Sequence, residues 1–410
     1  MKHPFILTLL FGAACAAPLS PARAQTLEGF ASLPADTFAA GPTSGQFIAA
    51  ANGRVPPFPN KQPIQGISSV LAASNGDYWV MSDNGFGAKE NSPDFVLRMH
   101  RISPQFRTKN IGAGTITVKT SITLHDPDHR INFPIVADQL LYPASGIPVD
   151  AAIRSERLLT GGDFDIESVR EAHDGTLWFG DEFGPFLIHT DAAGRVLDAP
   201  YPLPGVRSPQ NPFLAGGVPN LPRSKGFEGM AIPPNGKVLY PMLEGALTTD
   251  PDQRRLIINE FHLAQRRYTG RQWFYHLESP SNAIGDLTAV DNQQFLVIER
   301  DNFEGPAAAF KKIFLVDLTN VSDDGFLVKR EVADLLHISD PSNIGGFGPL
   351  FRFPFQTIES VIPIGDRRLG VLNDNNYPFS AGRVTGQPDP NEFIIIRLDQ
   401  PLAVERDSPQ

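Results

Sequence analysis

Cysteine is all but absent from this sequence. The single one, Cys15, lies in the opening segment MKHPFILTLLFGAACAAPLSPARAQT, which combines Lys2, an apolar run from Phe5 to Ala17 and the small-x-small triplet Ala22-Arg23-Ala24. These features predict a secretory signal peptide over residues 1–24, cleaved after Ala24. A lipoprotein signal would place a Leu-like residue three positions before the cysteine, where Gly12 stands. Beyond residue 24 there is no thiol, which excludes disulfides and thiol catalysis and leaves stability to a packed core. No later segment approaches the ~20 apolar residues needed to span a bilayer. The expectation is a periplasmic or secreted protein without a membrane span.

Positive charge is scarce as well. The leader removes Lys2 and Arg23 from 35 basic residues and nothing from 45 acidic ones, so 33 face 45 and the formal charge becomes −12. That excess argues against nucleic acid and anionic membrane as partners. The sequence also lacks a Gly-x-Ser-x-Gly elbow, a Walker loop and a dinucleotide fingerprint, which disfavours an α/β-hydrolase and nucleotide chemistry. Long stretches with helical apolar spacing are missing, whereas Gly 36 and Pro 38 indicate short strands and many turns.

What is present is a repeat. GISSVLAASNGDYWVMSDNG (66–85) aligns with FDIESVREAHDGTLWFGDEFG (164–184) at one offset of 99, matching Val70 to Val169, Asn75-Gly76 to Asp174-Gly175, Trp79 to Trp178 and Gly85 to Gly184. Further copies are GFEGMAIPPNGKVLYPMLEG (226–245), AIGDLTAVDNQQFLVIERDN (283–302) and TIESVIPIGDRRLGVLNDNN (357–376). Each reads as strand, two-residue turn, strand, with Asn-Gly or Asp-Gly supplying type I′ geometry in the first three. Hairpins repeated in this way predict an all-β fold, a β-propeller. The wide interval between Val70 and Val169 leaves room for a degenerate blade containing GAGTITVKTSITL (112–124), so six blades are expected, with seven as the alternative. A β-sandwich is the competing fold. The expected segments are a leader (1–24), a lead-in able to supply a closing strand (25–60), the propeller (61–402) and a tail (403–410) of a monomeric chain.

Carboxylates recur at one edge of these hairpins. With the turn at Asp174-Gly175, residues whose numbers sum to 349 face each other, which sets Glu167 opposite Glu182. The same count sets Ser68 opposite Asp83, Asp286 opposite Glu299, Glu359 opposite Asp374, and Glu228 opposite Leu243 with Glu244 adjacent. Opposed like charges destabilise a sheet, so the pattern calls for raised pKa values, basic neighbours or a bound cation. Oxygen donors without His or Cys clusters favour a hard ion, Ca2+ first and Mg2+ or Mn2+ after it. The competing explanation is structural: Glu167, Glu228, Asp286 and Glu359 accept backbone N–H bonds between blades, while Lys225, Arg300 and Arg352 neutralise the rest. The loop LHDPDHRINF (124–133) and the stretches 201–222 and 345–355 read as long connections.

Four stretches, ESVREAHDGTLWFGDEFGPFLIHTDAAGRVL (167–197), KGFEGMAIPPNGKVLYPMLEGAL (225–247), IGDLTAVDNQQFLVIERDN (284–302) and LNDNNYPFS (372–380), resemble the phytase-like propeller family named for esterase-like activity of phytase. The resemblance runs from about Gly66 to Leu398, and its motif residues fall on Asp83, Glu167, Asp181, Glu182, Lys225, Glu228, Glu299, Arg300 and Asp374. It implies ester hydrolysis, by analogy with calcium-dependent propeller phytases. The first strands are also similar to those of gluconolactonase-type propellers, in which an acid or amide opening the inner strand binds the catalytic metal. That similarity points to Glu167, Glu228, Asp286 and Glu359 as metal ligands. The expected function is a secreted, metal-dependent hydrolase of a small-molecule phosphoester, carboxyester or lactone. Asp83, Glu182 or Asp374 would act as general base, with Lys225 and Arg300 stabilising negative charge. The acidity of the chain argues against a hexaphosphate and for a smaller ester. The alternative is a non-catalytic propeller that binds a glycan, peptide or envelope partner, with calcium purely structural.

Overall fold

A computed structural model of the chain describes residues 25–402. The expected leader, with Cys15 and its cleavage site, and the tail 403–410 lie outside the described residues. The architecture is a β-propeller built of four-stranded sheets. The first sheet contains Ile67–Ala72, Tyr78–Ser82, Arg98–Gln105 and Thr115–Thr123. The second contains Ile166–Glu171, Leu177–Asp181, Phe186–Thr190 and Tyr201–Pro202. The third contains Phe227–Ala231, Val238–Leu243, Arg255–His262 and Arg267–His276, and the fourth Ala283–Ala289, Gln294–Arg300, Lys311–Val321 and Leu327–Asp334. In the fifth, Thr357–Ile364, Arg368–Asp374 and Asn391–Arg397 are completed by Gln25–Leu33, whose Phe30 pairs antiparallel with Ile394.

The leading strands of these sheets neighbour one another in chain order, and Thr357–Ile364 returns to Ile67–Ala72, which closes the ring. A parallel bridge, Ser32 to Thr115, and an antiparallel one, Phe30 to Arg107, tie the fifth sheet to the first. Three of these sheets have four strands each, and the first and fifth groups are linked, with Ile338–Ser339 and Leu350–Phe351, into one ten-stranded sheet. The segment assigned to a degenerate blade, 112–124, is the outermost strand of the first sheet, Thr115–Thr123, paired with Arg98–Gln105. The remainder of the long interval is a connection that carries a 3-10 turn, Val136–Asp138, and a short helix, Ala151–Glu156.

Burial follows from this stacking. A leading strand is covered on both faces by neighbouring sheets, so Phe227–Ala231 is buried throughout, whereas the outermost strand Arg267–His276 has only one buried residue, Tyr275. The core therefore lies between sheets: Trp178, Phe227, Leu239 and Phe261 fill the space between the second and third. Phe351, Phe353, Phe355, Ile358 and Ile394 pack together beside the fifth. Each such side chain contributes about 1.5–3 kcal/mol through removal from water.

The hairpin turns differ from the two-residue expectation in a way that moves the register. Asn75 and Gly76 both have positive φ, but at the equivalent turns of the second and third sheets only Gly175 and Gly236 do. Ala172 N–H bonds Thr176 O and Gly175 N–H bonds Ala172 O, which makes the second turn one residue longer.

Candidate functional site

Every leading hairpin contains a β-bulge at the same place. Ile166 pairs with Asp181 and Ser168 with Gly180, so Glu167 is left unpaired between them. Ser68, Glu228, Gly285 and Glu359 are left out in the same way in the other four sheets. A bulge inserts one residue and re-aims its side chain, and here the re-aimed side chains sit at one end of the ring of leading strands, the mouth of its central axis. The expectation that Glu167 faces Glu182 in the ladder is therefore corrected. The residues one step past the second strands, Asp83, Glu182 and Glu244, share that mouth, with Arg300 and Asp374 ending the equivalent strands.

The fourth sheet breaks the pattern for a steric reason. A Cβ at Gly285 would stand 2.0 Å from Ile358 O, so no side chain fits at its bulge. Asp286, expected as a metal ligand, is one residue further on and outside the carboxylate group. It accepts from Arg170 Nη2 at 2.8 Å and from Val361 N at 3.0 Å. Arg170 also donates to Ser69 Oγ and Leu287 O, so this buried pair crosses the channel and ties four of the five sheets together.

Two groups of carboxylates come close enough to hold an ion. Asp165, Glu167 and Glu182 form one, and Glu182, Glu228 and Glu244 the other, with the ligand atoms of each group within 4.8 Å of one another. All five residues are buried. Glu167 Oε2, Glu182 Oε1 and Glu228 Oε1 are buried without any hydrogen-bond partner. An unpartnered buried carboxylate is expensive, by several kcal/mol per ion, so these oxygens require either protons or a cation.

The positive charge available locally is limited. Arg300 Nη2 lies 2.9 Å from Glu359 Oε1, 3.6 Å from Glu244 Oε1 and 4.0 Å from Glu228 Oε1. Lys225, half-exposed at the rim, pairs with Glu244. Burial pushes Glu167, Glu182, Glu228 and Asp83 well above the ordinary carboxylate range, and the neighbouring carboxylates push in the same direction. Burial likewise raises Asp165, Glu359 and Asp374 to about 7, aided by neighbouring acids. Arg300 and Lys225 are held above their usual values: burial acts against their charge, but the surrounding glutamates outweigh it.

The other motif residues are accounted for by hydrogen bonds. Glu299 accepts from Tyr275, Asn282, Lys329 and the Glu278 N–H, which makes it a structural anchor. Asp181 accepts from the N–H groups of Asp165 and Gly184 and holds the loop that presents Glu182. Asp374 accepts from Thr357 and the Asn376 N–H, and Glu359 from Ser68 and Arg300. Asp83 uses Oδ1 for Gln65 and the Gly85 N–H, and its Oδ2 has no hydrogen bond among the described residues. The sequence reading did not single out Asp165, Glu244 and Arg170 as site residues. Glu244 carried a signal, since it stands one residue past the strand equivalent to the one before Glu182, whereas Asp165 before a bulge and Arg170 with its partner across the ring are marked by no local spacing.

This chain belongs to the phytase-like family described as esterase-like activity of phytase, whose model matches residues 62–377. An uncharacterized secreted protein of Arthroderma benhamiae is 22% identical over 296 residues, covering 58% of this chain and 57% of that protein. The match thus spans little more than half the length of that relative. Among solved structures, a calcium-binding regucalcin of Agrobacterium tumefaciens is similar at 12% identity and a TM-score of 0.35, covering 85% of this chain and 94% of that one. A luciferin-regenerating enzyme is similar at 11% identity and a TM-score of 0.36, covering 82% and 80%. No helix of the described residues is long and apolar enough to cross a membrane.

Proposed function

We propose that the channel mouth is the active site of a secreted, divalent-cation-dependent ester hydrolase, with phosphoesters the first substrate class. The observation that carries this reading is the set of buried glutamate oxygens on Glu167, Glu182 and Glu228 that no donor satisfies. Ca2+–oxygen bonds of about 2.3–2.6 Å place ligands on opposite sides of an ion about 5 Å apart, which matches the spread of each carboxylate group. An all-oxygen, all-anionic set of this kind suits Ca2+ ahead of Mg2+ or Mn2+. When bound, such an ion lowers the pKa of water and polarises an ester oxygen.

The chain's own residues divide the remaining work. Glu182 belongs to both carboxylate groups and serves as ligand, not base. Both oxygens of Asp374 are occupied by Thr357 and the Asn376 N–H, so it positions the mouth. Asp83, with Oδ2 free of hydrogen bonds, is the group placed to take a proton from water. Lys225 at the rim and Arg300 deeper in supply fixed positive charge toward a developing oxyanion.

The test begins with melting of protein stripped by EDTA and supplemented with Ca2+, Mg2+ or Mn2+, followed by p-nitrophenyl phosphate and p-nitrophenyl acetate assays with the best ion. At a hundredfold excess over Kd an ion stabilises by about 2.7 kcal/mol. Wild type should gain in melting temperature and Glu228→Gln should lose most of that gain. If no ion shifts the melt, the metal reading fails. If an ion binds and neither ester is cleaved, the site is structural and the propeller is a binding module.

A further inference from the structure

We infer that the channel mouth is a two-ion site with Glu182 as the shared ligand. This rests on the metal reading above and extends it. The two carboxylate groups are not separate clusters: they meet at Glu182, with Asp165 and Glu167 on one side and Glu228 and Glu244 on the other. Unpartnered buried oxygens occur on both sides of it, Glu167 Oε2 on one and Glu228 Oε1 on the other, in addition to Glu182 Oε1. A single ion seated at one group would satisfy one side and leave the other side's glutamate oxygen buried without a donor.

Charge leads to the same arrangement. The five carboxylates of the two groups, with Asp83, Glu359 and Asp374 at the same mouth, carry a formal −8 against +2 on Lys225 and Arg300, which leaves −6. One divalent ion leaves −4 and two leave −2. The second ion therefore removes half of the remaining excess, which lessens the conflict between an acidic chain and an anionic ester as substrate. The two half-sites also differ. Arg300 and Lys225 both approach the Glu228–Glu244 side, so the cation there meets repulsion that the Asp165–Glu167 side does not. The first ion is therefore taken by Asp165, Glu167 and Glu182, and the second binds more weakly.

Native mass spectrometry and calorimetric titration of the metal-stripped chain with Ca2+ test this directly, with Mn2+ electron paramagnetic resonance as a second readout. Wild type should take up two ions in two steps, and two Mn2+ ions should show exchange coupling through the shared carboxylate. Outer-shell substitutions typically cost metal sites 10–100-fold in affinity, so loss of a direct ligand should cost at least roughly tenfold. Asp165→Asn should weaken the tighter step and Glu244→Gln the weaker one, whereas Glu182→Gln should weaken both. Uptake of one ion only, or two uncoupled ions with Glu182→Gln affecting one step alone, would overturn the shared-ligand site while leaving a metal-dependent mouth intact. No uptake at all would overturn the metal reading itself. The wild-type stoichiometry and Mn2+ spectrum decide the matter even where a variant does not fold.

Discussion

Arg170 reaches across the central channel from the second sheet and places Nη2 2.8 Å from Oδ1 of Asp286 on the fourth. Both side chains are buried, so the pair is a desolvated bond between opposite parts of the ring. Removing one partner of such a pair costs roughly 3–5 kcal/mol, because the other is left charged and buried. Asp286→Ala should lower the melting temperature strongly in chemical and thermal denaturation. The rise in melting temperature on adding Ca2+ should survive, since Asp286 lies outside the carboxylate groups.

Gly285→Ala should be at least as damaging, for a backbone reason. The added Cβ would lie 2.0 Å from Ile358 O, and a backbone atom in a closed ring cannot move aside. Ser68→Ala, at the equivalent bulge of the first sheet, removes a hydroxyl that lies 3.1 Å from Glu359 Oε2 and 3.4 Å from Gly66 O, and should cost about 1 kcal/mol. Comparing the soluble yield and urea midpoint of the two variants checks the contrast.

Stability of the ion-free protein should fall as pH rises. Asp165, Glu359 and Asp374 are raised to about 7 in the folded chain, against about 4 when unfolded. Between those values the native state binds more protons than the unfolded state, so unfolding becomes easier with increasing pH. The stabilisation is fully present below about pH 4 and is lost as the pH passes 7. Melts in EDTA should therefore drop steeply between pH 5 and 8. With saturating Ca2+ the slope should flatten or reverse, because the ion replaces the protons.

Arg300→Gln should separate binding from turnover. The guanidinium lies 2.9 Å from Glu359 and within 4.0 Å of Glu228 and Glu244. Its loss deepens the negative potential that attracts a cation, so Ca2+ affinity should rise by tenfold or so, an increment of about 1.4 kcal/mol. If the same charge stabilises the transition state, kcat should fall by about 100-fold or more. Titration calorimetry together with steady-state kinetics on p-nitrophenyl phosphate measures both effects.

The hairpins were legible in the sequence because their signals are local. Trp79 and Trp178, the Gly-containing turns and the acids flanking them repeat in register, and a strand-turn-strand unit needs nothing more distant to be recognised. The bulge was not legible in one copy, since it adds a residue without a residue type of its own. The turn, one residue longer than the two-residue count, and the bulge beyond it each shift the pairing by one, so counting across Asp174-Gly175 misplaced every facing pair and set Asp286 in the column that Gly285 occupies. The interval between the first two copies was hard to read for a related reason: the connection carrying Ala151–Glu156 resembles missing sheet in length, but it is mostly loop. Arg170 escaped notice because its partner is 116 positions away, and no local spacing announces a bond across a ring.

The pairing of Phe30 with Ile394 brings one of the first described residues beside one of the last. Until Asn391–Arg397 has been synthesised, Gln25–Leu33 lacks its long antiparallel partner and has only short pairings with Ile338–Ser339, Thr115 and Arg107, while Arg368–Asp374 presents unpaired N–H and C=O groups. Open edges of that kind are templates for pairing with other chains, and contacts so distant in sequence make folding slow. Cooperative assembly must therefore wait for nearly the whole chain. A truncation that ends before Asn391 would give an aggregating chain, not a smaller working propeller.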